Sequence, residues 1–318
     1  MTIAITLLAP EDHGALKQFL YSDPAHHIHQ IYELERHGLS KERKTFRGII
    51  KDHAIEGVLF SDGFGQDGTG FITGRSDEIC NALIAYGFSN GLRTLIGPEN
   101  CIKPALNTRL AKGKTVRRWR VHQCRPKDLI PRHDFPVRQA TPNDVDQMAK
   151  LYLDYEYRAH NDMKSIREEI LDNFKANNTY FVVEQANTIV AAAMLYLETS
   201  YAAMIGAARV LPEYRGKGIY YSLRTACFES LFSKSKYAVG FYVEDNRVME
   251  KVVQKTGGEY IGYWMVLQSS PEYHPSRISI KRIAAYLRRK LRPRVDEPTR
   301  KVVGYERIGG IFRQNQTI

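Results

Sequence analysis

Apolar and polar positions along the chain change period many times, and the changes fall into two similar series. In the first, Ile5 to Leu8 predicts a strand, and Pro10-Glu11-Asp12 opens a helix that runs through Leu20. A second helix follows Asp23-Pro24 and carries Ile28, Ile31, Leu34 and Leu39 on one face. Phe46 to Ile50 and Ile55 to Phe60 predict a hairpin around Asp52-His53. Phe71 to Thr73 predicts a strand, Ile79, Leu83, Ile84 and Phe88 a helix, and Leu95-Ile96 a short strand. Ile102 to Leu110 predicts another helix, and Val116 to Val121 a closing strand.

The second series repeats this order. Phe135 to Gln139 predicts a short strand. Thr141 caps a helix that has Pro142 at its first position, and Val145, Met148, Tyr152 and Tyr155 recur at helical spacing. Ile166, Ile170, Leu171 and Phe174 mark a second helix. Tyr180 to Glu184, Ile189 to Leu197 and Met204 to Val210 predict three strands. A helix begins near Ile219, Tyr237 to Val243 is a strand, and Asn246 starts a helix that Gly257-Gly258 stops. Tyr260 to Leu267 predicts the last strand. The expected fold class is α/β with mixed sheets, in two consecutive domains, residues 1–130 and 131–270, followed by an extension at 271–318.

Most of the chemistry is concentrated in the run from Arg209 to Leu223. Pro212 ends the preceding strand, because proline cannot donate to a ladder. Gly216 and Gly218 permit a tight turn, and Arg215 and Lys217 add positive charge. The first amides of the following helix lack intrahelical partners, and the helix dipole is positive at that end, so the turn suits a phosphate.

The string V-x-P-x-x-R-G-x-G-[ILV] resembles the acyl-CoA signature of the GNAT superfamily, the Gcn5-related N-acetyltransferases, whose pattern is [QR]-x-x-G-x-[GA]. Arg215, Gly218 and Tyr220 fill its three fixed positions, with Tyr220 in place of glycine or alanine. Asn246 to Gly258 resembles the family's second motif: Asn246, Val252, Lys255 and Gly257 match, while Met249 and Val253 depart from it. Val253 stands where many members carry a tyrosine that protonates the leaving thiolate.

The resemblance implies two tandem GNAT folds, the first degenerate, and an acyltransferase that moves an acyl group from acetyl-CoA or another acyl-CoA to a primary amine. It implies that Arg215, Gly216, Lys217, Gly218, Ile219 and Tyr220 hold the diphosphate, with Asn246 also at the cofactor. The backbone of Ala208, Arg209 and Val210 would pair with pantetheine. The attacking amine must lose a proton and the thiolate must gain one. Glu198 is the candidate base and Tyr242 the candidate acid; Glu213, Glu244, Tyr220 and Tyr221 are further candidates. Two other functions fit the sequence: a transferase that takes its acyl group from aminoacyl-tRNA, and a non-catalytic acyl-CoA-binding module for regulation or assembly. In the first series the corresponding turn reads Gly74-Arg75-Ser76-Asp77-Glu78, whose two carboxylates repel a diphosphate, so no CoA is expected there.

Charge adds one element. The chain carries +11, of which +8 falls in residues 271–318. Ile280, Ile283, Ala284, Leu287 and Leu291 alternate there with Lys281, Arg282, Arg288, Arg289, Lys290 and Arg292, a basic amphipathic helix stopped by Pro293. An acidic partner or an anionic surface suits it, and nucleic acid is not expected. Gly63 to Gly68 matches G-x-G-x-x-G but precedes a strand, so it reads as a hairpin loop. No apolar run reaches the ~20 residues that span a bilayer, and no signal peptide is expected, which suggests a cytoplasmic protein. The four cysteines show no ligand spacing, so reduced thiols and no metal site are expected. His26, His27 and His29 are expected at an exposed helix start.

Overall fold

The structure, a computed structural model, describes residues 3–39, 45–61, 68–153, 162–234 and 237–269. The basic helix expected after residue 270, the run from Asp62 to Asp67 and the position of Tyr155 lie outside them. The strands are β1 (Thr6–Leu7), β2 (Phe46–Lys51), β3 (Ala54–Ser61), β4 (Gly68–Gly74), β5 (Leu92–Pro98), β6 (Thr115–Cys124), β7 (Arg138–Gln139), β8 (Thr179–Gln185), β9 (Thr188–Tyr196), β10 (Ala202–Val210), β11 (Tyr237–Val243) and β12 (Glu259–Gln268). The helices are α1 (His13–Leu20), α2 (Ile28–His37), α3 (Asp77–Ser89), α4 (Glu99–Ile102), α5 (Val145–Leu153), α6 (Met163–Lys175), α7 (Ile219–Phe232) and α8 (Arg247–Lys255). Two compact units form: one from residues up to Ile130, Leu197–Met204 and the described residues from Phe228 to Ser269, the other from Pro131–Tyr196 and Ile205–Cys227.

In the first unit the strand order is β1-β2-β3-β4-β5-β12-β6-β11, and β10 joins through Ala202–Met204, parallel to Tyr237–Val239. The expected closing strand of the first series, β6, therefore does not lie beside β5. β12 stands between them, antiparallel to both, with Val266 opposite Ile96 and Arg117. Trp264 to Leu267 are buried, as suits a strand inside a sheet covered on both faces. Met265 and Leu267 complete a core with Ile49, Leu59, Ile72, Leu83, Ile84, Leu92 and Leu95. Each such side chain contributes about 1.5–3 kcal/mol on burial.

Three local expectations change in this unit. The helix expected across Ile102 to Leu110 is α4 followed by short 3-10 turns at Lys103–Asn107 and Arg109–Ala111, because Pro104 lacks the amide a continuous helix needs. Cys80 and Cys101 are disulfide-bonded rather than reduced: α3 brings their Cα atoms to 5.3 Å, within bridging range, a proximity the 21-residue spacing does not reveal. His27 and His29 are buried rather than exposed. His27 Nδ1 lies 2.8 Å from the Leu20 carbonyl and Nε2 2.8 Å from Thr73 Oγ1, while His29 stacks on Phe71 at 4.4 Å. Burial lowers the pKa of both imidazoles, that of His29 to about 3.

In the second unit the order is β10-β9-β8-β7, with β7, β8 and β9 antiparallel in sequence. The strand expected over Phe135 to Gln139 is reduced to Arg138–Gln139. Before it, the amides of Arg132 and Phe135 donate to Thr225 Oγ1 and Ser222 Oγ on α7 instead of to a strand. Thr141 and Asp144 form a reciprocal cap ahead of α5, and Asp162 caps α6 through the Ser165 amide at 2.8 Å.

Arg138 grips Asp144 with two bonds of 2.8 Å and pulls that carboxyl's pKa down to about 2, against burial, which opposes it. A carboxyl depressed in the folded state stabilises above its unfolded pKa of ~3.9 and loses that contribution as pH falls through 2. Asp144→Asn is expected to lower stability by about 1–2 kcal/mol at pH 7, since half-exposure of Arg138 screens the pair. Urea unfolding from pH 7 to pH 2 should show that difference closing below about pH 4.

Candidate acyl-CoA site

The turn after β10 is built by local hydrogen bonds. Leu211 donates to the Val190 carbonyl at 2.9 Å, which ties the end of β10 to β9. Pro212–Tyr214 form a 3-10 turn, closed by Tyr214 N to Leu211 O at 3.0 Å and Arg215 N to Pro212 O at 3.2 Å. Gly216 and Gly218 take φ +74 and +89, a region open to glycine and costly for other residues. A Cβ at Gly216 would meet nothing within 4 Å, so backbone conformation rather than crowding selects glycine there. Tyr221 N then donates to Gly218 O at 3.0 Å, and α7 starts at Ile219. The outcome is a glycine turn that delivers the chain to the N-terminus of a 14-residue helix, where anions are favoured.

Arg215 supports the turn as well as charging it. Its Nε donates to the Val210 carbonyl at 3.1 Å and so holds the loop against the strand it leaves. Lys217 Nζ lies 5.1 Å from the Tyr214 ring centroid. Two residues that motif reading missed adjoin the turn. A side chain at Gly218 would come within 4.0 Å of Asp134 Oδ2, and Arg132 offsets that carboxylate at 2.9 Å. Neither position carries a recognisable motif; only the hydrogen bonds of 132 and 135 to α7 bring the segment here.

Tyr220, the departure from the glycine or alanine pattern, is buried beside Arg224 and Cys227 rather than standing over the turn. Burial raises its phenol pKa and the Arg224 charge partly opposes that. Cys227 is fully buried, and burial pushes its thiol pKa up. On β10, Ala208 is partly exposed, whereas Arg209 and Val210 are buried. Ala207, just before them, has φ +50, a kink within the strand.

Of the remaining candidates, Asn246, Glu198, Glu244 and Tyr242 belong to the first unit and Glu213 and Tyr221 to the second. Asn246 caps α8, its Oδ1 accepting from the Met249 amide at 3.0 Å. Val253 is buried on the same helix. Glu198, in the connection leading into β10, lies 4.0 Å from Lys234 Nζ. Glu244 accepts from Arg118 at 2.7 Å. Tyr242 is buried on β11, with its ring centroid 5.7 Å from that of His122; burial raises its phenol pKa and the Arg120 guanidinium partly offsets this. Glu213 is exposed, and Tyr221 lies under the Arg132 guanidinium at 5.7 Å.

Among the described residues, no cluster of three or more His, Cys, Asp or Glu side chains could hold a metal, and no helix is long and apolar enough to cross a membrane.

Comparison with known proteins gives a family for one stretch of the chain. Residues 145–257 match the model of the Acetyltransferase (GNAT) family. No curated protein sequence matches the chain. Among solved structures, a GCN5-related N-acetyltransferase from Sphaerobacter thermophilus is similar with a TM-score of 0.61 at 13% identity, over 85% of this chain and 97% of that one. A tandem GNAT protein from the clavulanic acid biosynthesis pathway gives 0.55 at 13% identity, over 86% of this chain and all of that one. A GNAT-family acetyltransferase from Colwellia psychrerythraea gives 0.54 at 11% identity, over 84% and 99%. At these identities the likeness establishes the fold alone, and the sequence model adds the family for residues 145–257. The chain therefore carries an acetyltransferase (GNAT) family domain at residues 145–257.

Proposed function

We propose that this protein transfers an acyl group from acetyl-CoA, or another acyl-CoA, to a primary amine by direct attack on the thioester. The observation that carries the reading is the turn from Arg215 to Ile219, with two left-handed glycines and a charged clamp opening onto the start of α7. That arrangement supports binding of the CoA diphosphate by Gly216, Lys217, Gly218, Ile219 and Tyr220 backbone groups together with the Arg215 and Lys217 charges. The strand backbone at Ala208 to Val210 would pair with pantetheine, and its amides would polarise the thioester carbonyl.

Tyr242 is the proposed acid for the thiolate. Burial keeps its phenol protonated, and Arg120 would stabilise the phenolate left behind. Glu198 is the proposed route for the amine proton. The first series of elements would be a degenerate GNAT fold that does not bind CoA. Acidic carrier chemistry or an anionic surface suits the charge of residues 271–318.

Thiol release from acetyl-CoA across a panel of small amines and peptide N-termini tests the reading. Turnover with one amine class supports it. Saturable CoA binding with no thiol release from any amine would favour an acyl-CoA-binding module, for which the aliphatic Val253 is the specific support. Binding of aminoacyl-tRNA without binding of CoA would overturn the acyl-CoA assignment.

A further inference from the structure

Ala207 is the one residue of the 205–210 stretch of β10 with a positive φ, and alanine is a poor choice for it. A left-handed alanine costs on the order of 1–2 kcal/mol, so neighbouring groups must hold it. Two buried tyrosines lie against this stretch. Tyr152, from α5, donates its hydroxyl to the Ala207 carbonyl at 2.6 Å. Tyr196, from β9, lays its ring over Gly206; a Cβ there would fall 2.7 Å from the ring, so only glycine fits without displacement. Beyond the kink, the bond from Leu211 to Val190 returns the chain to β9.

The kink has a directional consequence. The Ala207 carbonyl and the Ala208 N–H belong to one planar unit, and in a trans peptide they point opposite ways. Fixing the carbonyl on Tyr152 therefore aims the Ala208 N–H away from that phenol. Donation to the carbonyl also polarises the peptide and strengthens its N–H as a donor, by about 10–30% per bond. Ala208 itself is partly exposed, between the buried Ala207 and Arg209.

We propose that Tyr152 is a positioning residue: by anchoring the Ala207 carbonyl in a left-handed kink, it aims the Ala208 amide at the thioester carbonyl of bound acyl-CoA. This rests on the acyl-CoA reading above. It adds a role to a side chain whose helical spacing suggests packing alone.

The test uses the full chain, Tyr152→Phe, and acetyl-CoA labelled with carbon-13 at the thioester carbonyl. Difference infrared spectra report how far binding lowers the carbonyl stretch, and calorimetry reports affinity. The expected result is wild-type affinity within about threefold, a loss of at least half of the carbonyl downshift, and a fall in kcat of roughly tenfold with little change in KM. Tyr152→Phe with an undiminished downshift would overturn the inference. Should that variant fold poorly, Tyr152→Phe combined with Ala207→Gly removes the left-handed penalty. A folded double variant that still lacks the downshift supports aiming; one that regains it shows that Tyr152 only bears strain, and overturns the proposal. Wild-type protein that fails to bind acetyl-CoA at all overturns the acyl-CoA reading, and this inference with it.

Discussion

Replacing Gly257 with alanine is expected to cost at least about 3 kcal/mol of stability. Two effects combine at this position. Its φ of +80 is strained for any residue with a Cβ, and that Cβ would lie 1.6 Å from the carbonyl oxygen of Asp128 and 3.2 Å from the Ile130 amide. The first costs on the order of 1 kcal/mol; the second cannot be relieved by a side-chain rotation, since the obstacle is backbone. The 128–130 segment would have to move, breaking the bond from Ile130 N to Thr256 O at 3.4 Å. For a chain of this size, such a loss lowers Tm by roughly 6–12 °C. Gly113→Ala is the control: φ is +70 there, but a Cβ meets nothing within 4 Å, so about 1 kcal/mol is expected. Equal losses in thermal unfolding for the two variants would show that the Asp128 contact does not constrain residue 257. The glycine of the family's second motif thus has a structural reason in this chain, independent of cofactor.

Arg215→Glu is expected to weaken CoA binding at least 100-fold, about 2.7 kcal/mol. The change removes the bond that holds the loop to the Val210 carbonyl at 3.1 Å and places a carboxylate beside the diphosphate. Arg215→Lys separates the two contributions: it keeps the charge but loses the guanidinium fork, so a loss of roughly tenfold is expected. Titration calorimetry reads both variants. Affinity unchanged in Arg215→Glu would place the diphosphate elsewhere. A lysine variant as weak as the glutamate one would assign the whole effect to loop geometry.

Local features of the fold were largely legible in the sequence because they are written in short-range rules. The caps at Thr141 and Asn246, the glycines at 216, 218 and 257, and the helical spacing of Val145, Met148 and Tyr152 each depend on residues a few positions apart. What stayed hidden depends on long-range pairing. Nothing near Val116 shows that Trp264 to Leu267 will separate β6 from β5, since the deciding partner is over a hundred residues away. The burial of His27 and His29 follows from Thr73 and Phe71, not from their own helix.

The candidate site divides the same way. The diphosphate turn is contiguous in sequence and carries a motif, whereas its setting does not. Arg132 and Asp134 reach it through bonds to α7. The kink at Ala207 carries no glycine or asparagine signal; Tyr152 bonds its carbonyl and Tyr196 lies against the preceding Gly206, both from distant positions in the chain. Tyr220 shows the reverse case: it breaks the family pattern in sequence, yet its burial beside Arg224 turns its bulk into the unit.

The central claim is that the turn from Arg215 to Tyr220 binds the diphosphate of CoA. Side-by-side calorimetric titration with CoA and with pantetheine, which lacks the diphosphate, tests it most directly. The account predicts one saturable CoA site per chain and at least 100-fold weaker binding of pantetheine, since charge-assisted contacts to the phosphates supply most of the affinity. Equal affinity for the two, or no binding of CoA, would contradict it.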